Sequence, residues 1–388
     1  MNSYLENTYW IALAHLPRWY TERINRLVIQ ILHENKMSLN EFFEMGRTDW
    51  KEIFGLNEKE LSDVEQVKSD LPRLAFIAEQ LENEGFHVIP VNSPEYSVVL
   101  KENLKVRKTP PVLYVKGRLS LLKEDAVAIV GSRSAGKAAL DFTDHIAKKS
   151  VNEFKVVVSG FAKGVDQQAL DSAIEANGKS IIVLPQGILT FQSGFKKYYE
   201  PIVNGDVMVL STFFPKAGWE VGLAMARNVY IYGLAKEIYV AETEEKGGTW
   251  GGAMDGLRNK RTVYVRMPEK DEKNANLKLL RLGATPVNMD GEIVEVSTVI
   301  EGSVTAAEKI KEKGIDYKDS IRNIEEEILE LLKKGSYTSK EIIMALKLDW
   351  TSRKLTTYLK NNPDVKLLPK TKPAKYTLAD TKTISLFD

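Results

Sequence analysis

The chain has 388 residues, 43% of them apolar and 28% charged, with a formal net charge of +1. That length exceeds one small core and predicts two or three domains of an ordinary globular protein. A near-neutral charge means that any nucleic-acid site has to come from local clustering of Lys and Arg, and the lack of cysteine excludes disulfides, thiolate metal sites and cysteine nucleophiles.

The four histidines, His15, His33, His87 and His145, form no His-x-x-x-His pair and read as structural or surface residues, so no metal is expected. Residues 1–18 carry Glu6 early and lack the apolar run of a signal peptide. No stretch of about 18 apolar residues marks a membrane span, and the expected location is the cytoplasm, away from the membrane.

Residues 1–85 read as a helical domain of the SAM-like kind. Ile24, Leu27, Val28, Ile31 and Leu32 recur at helical spacing, and Asn57 with Glu60 three residues on marks a helix start after Gly55. Residues 86–115 are interrupted by Pro90, Pro94, Pro110 and Pro111; Val112-Leu113-Tyr114-Val115 is a short β-rich run, and the whole reads as a connector packed on the next domain. From 126 to about 300, short apolar runs at 126–130, 155–158, 180–184, 207–210, 237–241 and 262–265 alternate with helical segments such as 138–150 and 166–176. Continuous apolar strands alternating with helices predict an α/β fold, a Rossmann-like doubly wound parallel sheet filling the core at 86–300. Residues 301–320 are polar and read as a linker. Residues 321–380 show three helices, the second capped by Thr338, then two short strands, which is the layout of a C-terminal winged helix.

Four loops follow the apolar runs. In Val130-Gly131-Ser132-Arg133-Ser134-Ala135-Gly136-Lys137 the glycines let backbone N–H groups approach an anion at a helix start, and Arg133 offers a planar fork for phosphate oxygens. The spacing Gly131-x-x-x-x-Gly136-Lys137 is similar to a P-loop, but Ala138 stands where the magnesium-binding hydroxyl belongs, and the dinucleotide fingerprint G-x-G-x-x-G is absent. Ser159-Gly160-Phe161-Ala162-Lys163-Gly164-Val165-Asp166 repeats the logic with Lys163 as the charge, and Asp166 reads as a helix cap. Arg227-Asn228 can meet phosphate or base edges; Tyr230 and Tyr232 beside them read as core. The run Lys246-Gly247-Gly248-Thr249-Trp250-Gly251-Gly252 brings backbone close to a ligand or a strand. Loops at the carboxyl ends of neighbouring parallel strands border one crevice. Neither a Ser-His-Asp set nor a paired-carboxylate set is evident, so a binding protein with no cofactor is expected rather than an enzyme.

In this order, the loops resemble those of the DNA-processing protein A (DprA/Smf) family over residues 86–290. Pro110-Pro111-Val112-Leu113-Tyr114-Val115-Lys116-Gly117, Ala128-Ile129-Val130-Gly131-Ser132-Arg133, the Ser159–Asp166 loop, Arg227-Asn228, the glycine-rich run and Arg281-Leu282-Gly283-Ala284 carry the resemblance. It implies single-stranded DNA binding by a homodimer in natural transformation and recombination, with loading of the RecA recombinase. The implied DNA-binding residues are Gly131, Ser132, Arg133, Ser159, Gly160, Lys163, Gly164, Arg227, Asn228, Lys246, Gly247 and Gly248. The chain departs from the family at Val229, where a second Arg is usual, at Leu170, where His is usual, and at Thr212, where Glu is common. The glycine-rich run is also similar to that of Rossmann-like nucleotide sensors and phosphoribohydrolases, which is the alternative reading. A third reading rests on residues 347–376, where eight Lys and Arg against two Asp give a net charge of +6 and suggest a winged helix on duplex DNA.

Overall fold

The computed structural model describes residues 3–269, 272–294 and 324–346, and residues 352, 355–356, 359, 365–368 and 374–378 near the C-terminus. Two compact units divide the chain, one within Met1–Thr298 and one within Val299–Ser385.

The first unit begins with six helices: α1 (Ser3–Ala14), α2 (Thr21–Ile29), α3 (Leu39–Glu44), α4 (Arg47–Phe54), α5 (Glu58–Ser69) and α6 (Leu71–Asn83). They enclose Trp10, Leu13, Leu27, Phe42, Trp50 and Leu61, all buried. The expected start of α5 is a capping box: Asn57 Oδ1 accepts from the Glu60 backbone N–H at 3.1 Å, and Glu60 accepts from the Asn57 N–H at 3.0 Å.

The segment read as a connector supplies two strands, β1 (His87–Pro90) and β2 (Val112–Lys116), with α7 (Val98–Lys108) between them. Both strands join the main sheet, antiparallel, at one edge. The prolines stand at strand ends and in turns, where a missing N–H breaks no ladder. The sheet continues through β3 (Ala126–Val130), β4 (Val156–Ser159), β5 (Ser180–Val183), β6 (Val207–Ser211), β7 (Glu237–Val240), β8 (Thr262–Arg266) and β9 (Thr285–Val287) in the spatial order β1-β2-β6-β5-β4-β3-β7-β8-β9. From β6 to β9 every neighbouring pair is parallel. Helices α8 (Lys137–Asn152) and α9 (Val165–Glu175) bury Phe142, Ile146, Val165 and Ala169 against Val127, Ile129 and Tyr239 on one face. After the short α10 (Gln192–Lys197) and α11 (Tyr199–Asn204) come α12 (Val221–Gly233), α13 (Gly248–Arg258) and α14 (Asn276–Arg281). Gly256 of α13 lies against Ile238, which neighbours Tyr239 on β7 and so points to the opposite face. Helices therefore cover both faces, as the alternation of strand and helix predicts.

Among its described residues the second unit has helices Ile324–Lys333 and Ser339–Leu346 and an antiparallel sheet of Tyr337–Thr338, Lys375–Leu378 and Val365–Leu367. Ile328, Leu332, Ile342, Leu355, Leu359 and Tyr376 form its core. Thr338 caps the second helix as expected, its Oγ1 accepting from the Glu341 N–H at 3.3 Å. The linker at 301–320, most of the third helix, and Lys347, Arg353, Lys354, Lys360, Lys370 and Lys372 of the basic run lie outside the described residues.

Candidate functional site

The chain runs from β3 outward through β4, β5 and β6, then crosses back to lay β7 on the other side of β3. Val130 and Val240 pair at the carboxyl ends of β3 and β7. The loops beyond them lead to helices on opposite faces and so diverge, which opens a crevice at this switch point.

The loops around the crevice brace one another through backbone groups. Ser132 N–H donates to Glu242 O at 3.0 Å, Val165 N–H to Ser132 O at 3.3 Å, and Thr249 Oγ1 to Gly131 O at 3.1 Å. Gly164 has a φ of +82°, and a Cβ there would lie 2.4 Å from Ser132 O, so glycine is required both by conformation and by space. At the start of α8, Gly136 N–H donates to the Glu242 carboxylate at 3.3 Å. A carboxylate of the chain itself thus holds the helix start that a P-loop presents to phosphate, in keeping with the absent hydroxyl at Ala138.

Two adjoining chambers result. The first, with a volume of about 320 Å³, is lined by Gly131, Ser132, Arg133, Arg227, Asn228, Lys246, Gly247 and Gly248 together with Trp219, Met225, Thr243 and Glu244. The second, about 280 Å³, is lined by Phe161, Ala162, Lys163 and Pro185. Arg133, Ala162, Trp219, Ala224 and Arg227 border both. Arg133, Lys163 and Lys246 are exposed, and among the described residues none of them has a carboxylate at ion-pairing distance.

Three of the expected site residues line neither chamber. Ser159 is buried with its hydroxyl donating to Ile129 O at 2.7 Å; Gly164 is the brace described above; Gly160 makes room for Arg227, whose Nη1 would lie 1.9 Å from a Cβ at that position. Arg227 itself is only 3% exposed, so it forms the floor of the crevice rather than its mouth. Its Nη1 donates to Val183 O at 2.7 Å, and its Nη2 lies 3.5 Å from Asp166 Oδ2. Its Nε is buried with no hydrogen-bond partner. Asp166 is not a cap: Gly164 holds that position, and the carboxylate sits in the first turn of α9, turned toward Arg227. Burial pushes the Asp166 carboxyl up, against the pull of the Arg227 guanidinium, and burial lowers Arg227, against the pull of Asp166. Tyr232 is core, as expected, and its hydroxyl donates to Thr249 O at 3.1 Å.

Trp219 escaped the sequence reading. It is 53% exposed in the segment between β6 and α12. The usable signal was its place: a large aromatic after Gly218, in a crossover that starts at the carboxyl end of a parallel strand. Among the described residues no group of three or more His, Asp or Glu is placed to hold a metal ion, and no helix is long and apolar enough to cross a membrane.

Residues 87–298 match the family described as DNA recombination-mediator protein A. The DNA processing protein DprA of Streptococcus pneumoniae is 34% identical over 161 residues, which are 42% of this chain and 57% of that protein, so the match spans little more than half of that relative. The Smf protein of Synechocystis is 25% identical over 303 residues, covering 74% of this chain and 72% of its own length. The solved structure of S. pneumoniae DprA superposes with a TM-score of 0.58 at 24% identity, over 73% of this chain and 94% of that one, and shows the same fold. The loops, their order and these matches together make the chain a divergent member of the DNA recombination-mediator protein A (DprA/Smf) family.

Proposed function

We propose that this protein binds single-stranded DNA in the crevice at the β3–β7 switch point and acts as a DNA-processing protein in the uptake and recombination of DNA. The observation that carries the reading is the convergence of three unpaired cations, Arg133, Lys163 and Lys246, on one pair of chambers rimmed by glycine-bearing loops. Cations and backbone N–H groups hold a phosphate track without reading its sequence. Two adjoining chambers suit successive nucleotides of a strand better than one closed pocket suits a single small ligand. The names of the relatives, DNA processing proteins, support the same role.

In this reading the protein binds and hands over its strand without chemistry: no histidine lines either chamber, and the one buried carboxylate, Asp166, is engaged by Arg227. Action as a cytoplasmic homodimer and delivery of the strand to RecA rest on the family resemblance alone. The deciding experiment is a titration of the full chain with a labelled oligo-dT, competed by unlabelled single strand, by duplex and by mononucleotides. Single strand should compete in the concentration range of the probe, and duplex and mononucleotides far more weakly. Displacement by a mononucleotide at concentrations comparable to the oligonucleotide would overturn the reading in favour of a nucleotide sensor.

A further inference from the structure

The second chamber differs in character from the first. Its walls are Phe161, Pro185 and Trp219, while Arg133 and Lys163 supply its charge. Phe161 is held from behind, its ring edge-on to Phe191 at 4.9 Å and to Tyr198 at 5.8 Å, so that wall is rigid. Trp219 stacks on no ring among the described residues and leaves half its surface to solvent. An indole exposed beside two cations is an unusual use of a large apolar side chain, and it fits a flat apolar partner that carries negative charge next to it. A volume of about 280 Å³ admits one nucleobase with its sugar and is too small for a stacked pair of nucleotides.

We propose that the second chamber is a slot for one unstacked base of the bound strand, with Trp219 as its stacking wall and Arg133 and Lys163 on the phosphates at either side. This inference rests on the proposal that a single strand occupies the crevice, and it adds the part of that strand the slot takes. Stacking of this kind tolerates every base, because each presents a π-face. It predicts an energetic contribution that follows the base and not the phosphate.

The test uses the full chain, an oligo-dT and an abasic deoxyribose-phosphate chain of the same length. Trp219→Ala should weaken oligo-dT binding roughly tenfold to a hundredfold. It should leave both the affinity for the abasic chain and the salt dependence unchanged. Trp219→Phe should restore most of the loss, which guards against a folding defect in the alanine variant. Equal oligo-dT affinity for wild type and Trp219→Ala would overturn the slot, as would an equal loss on the abasic chain, since Trp219 would then act by holding the loop. Failure of the wild type to bind either chain would sink the underlying reading instead, and is told apart by that control.

Discussion

At the scale of single residues, the site separates into exposed charges and buried scaffolding. Arg133 and Lys163 stand at the chamber mouths without carboxylate partners, so their removal costs the fold little. The double variant Arg133→Ala, Lys163→Ala should bind single strands more weakly, by about the same factor on oligo-dT and on mixed sequence. Each lost phosphate contact should flatten the plot of log K against log salt by about 0.7. Exposed substitutions of this kind change stability by about 0.5 kcal/mol or less, so the melting temperature should hold. A folded double variant with wild-type affinity and salt slope would place the DNA elsewhere. Arg227 belongs to the other class: it is buried, bonded to β5 and set against Asp166.

At the scale of elements, that buried pair fastens α12 to its neighbours. Arg227 on α12 reaches Val183 at the end of β5 and Asp166 at the start of α9, through the space that Gly160 leaves open. The side chains of the pair are 4% and 11% exposed, so removing one partner strands the other charge away from water. Asp166→Ala should lower stability by about 3–5 kcal/mol, read from urea unfolding. Strand binding should weaken as well, because Trp219 and Asn228 ride on or just before the same helix. A loss within 1 kcal/mol would mean that water reaches the pair and that α12 is fixed by its apolar contacts alone, roughly the level expected of a surface ion pair.

At the scale of the whole molecule, the helical head is part of the first unit. His15 on the segment after α1 stacks on Tyr114 of β2 at 5.9 Å, bonds its hydroxyl at 2.9 Å, and meets the edge of Phe214 at 5.4 Å. Burial pulls the imidazole from its ordinary 6.5 down to about 4. The unfolded chain therefore binds the proton more readily, so this contribution to stability is complete above pH 6.5 and is lost as pH falls from 6.5 through 4. The slope is at most about 1.4 kcal/mol per pH unit. Melting temperatures measured between pH 7.5 and 4.5 should fall toward acid, and less steeply in His15→Gln; parallel curves would show that His15 does not titrate in this interval. The crevice also lies wholly within the first unit. A chain ending at residue 298 should keep single-strand binding within a few-fold of the full chain, measured by the same titration, and abolition of binding would move the site to the second unit.

Much of this was legible in the sequence. The parallel strands from β3 to β8 appear as apolar runs of strand length, because a strand buried on both faces needs no alternation. The order of glycine-bearing loops after them located the crevice, because backbone approach to a ligand demands glycine locally. The capping boxes at Asn57 and Thr338 were legible for the same reason: donor, acceptor and spacing all lie within four residues. Only the tertiary structure decided what depends on distant partners. Arg227 reads in sequence as a phosphate contact, and its burial follows from residues 44 and 61 positions away. The strands β1 and β2 read as a proline-broken connector until the sheet edge was there to pair them. Trp219 has no local pattern at all; its place between two chambers exists only once β4, β5 and α12 converge. Local chemistry specifies elements and turns, whereas burial, pairing and shared cavities are properties of the packed chain.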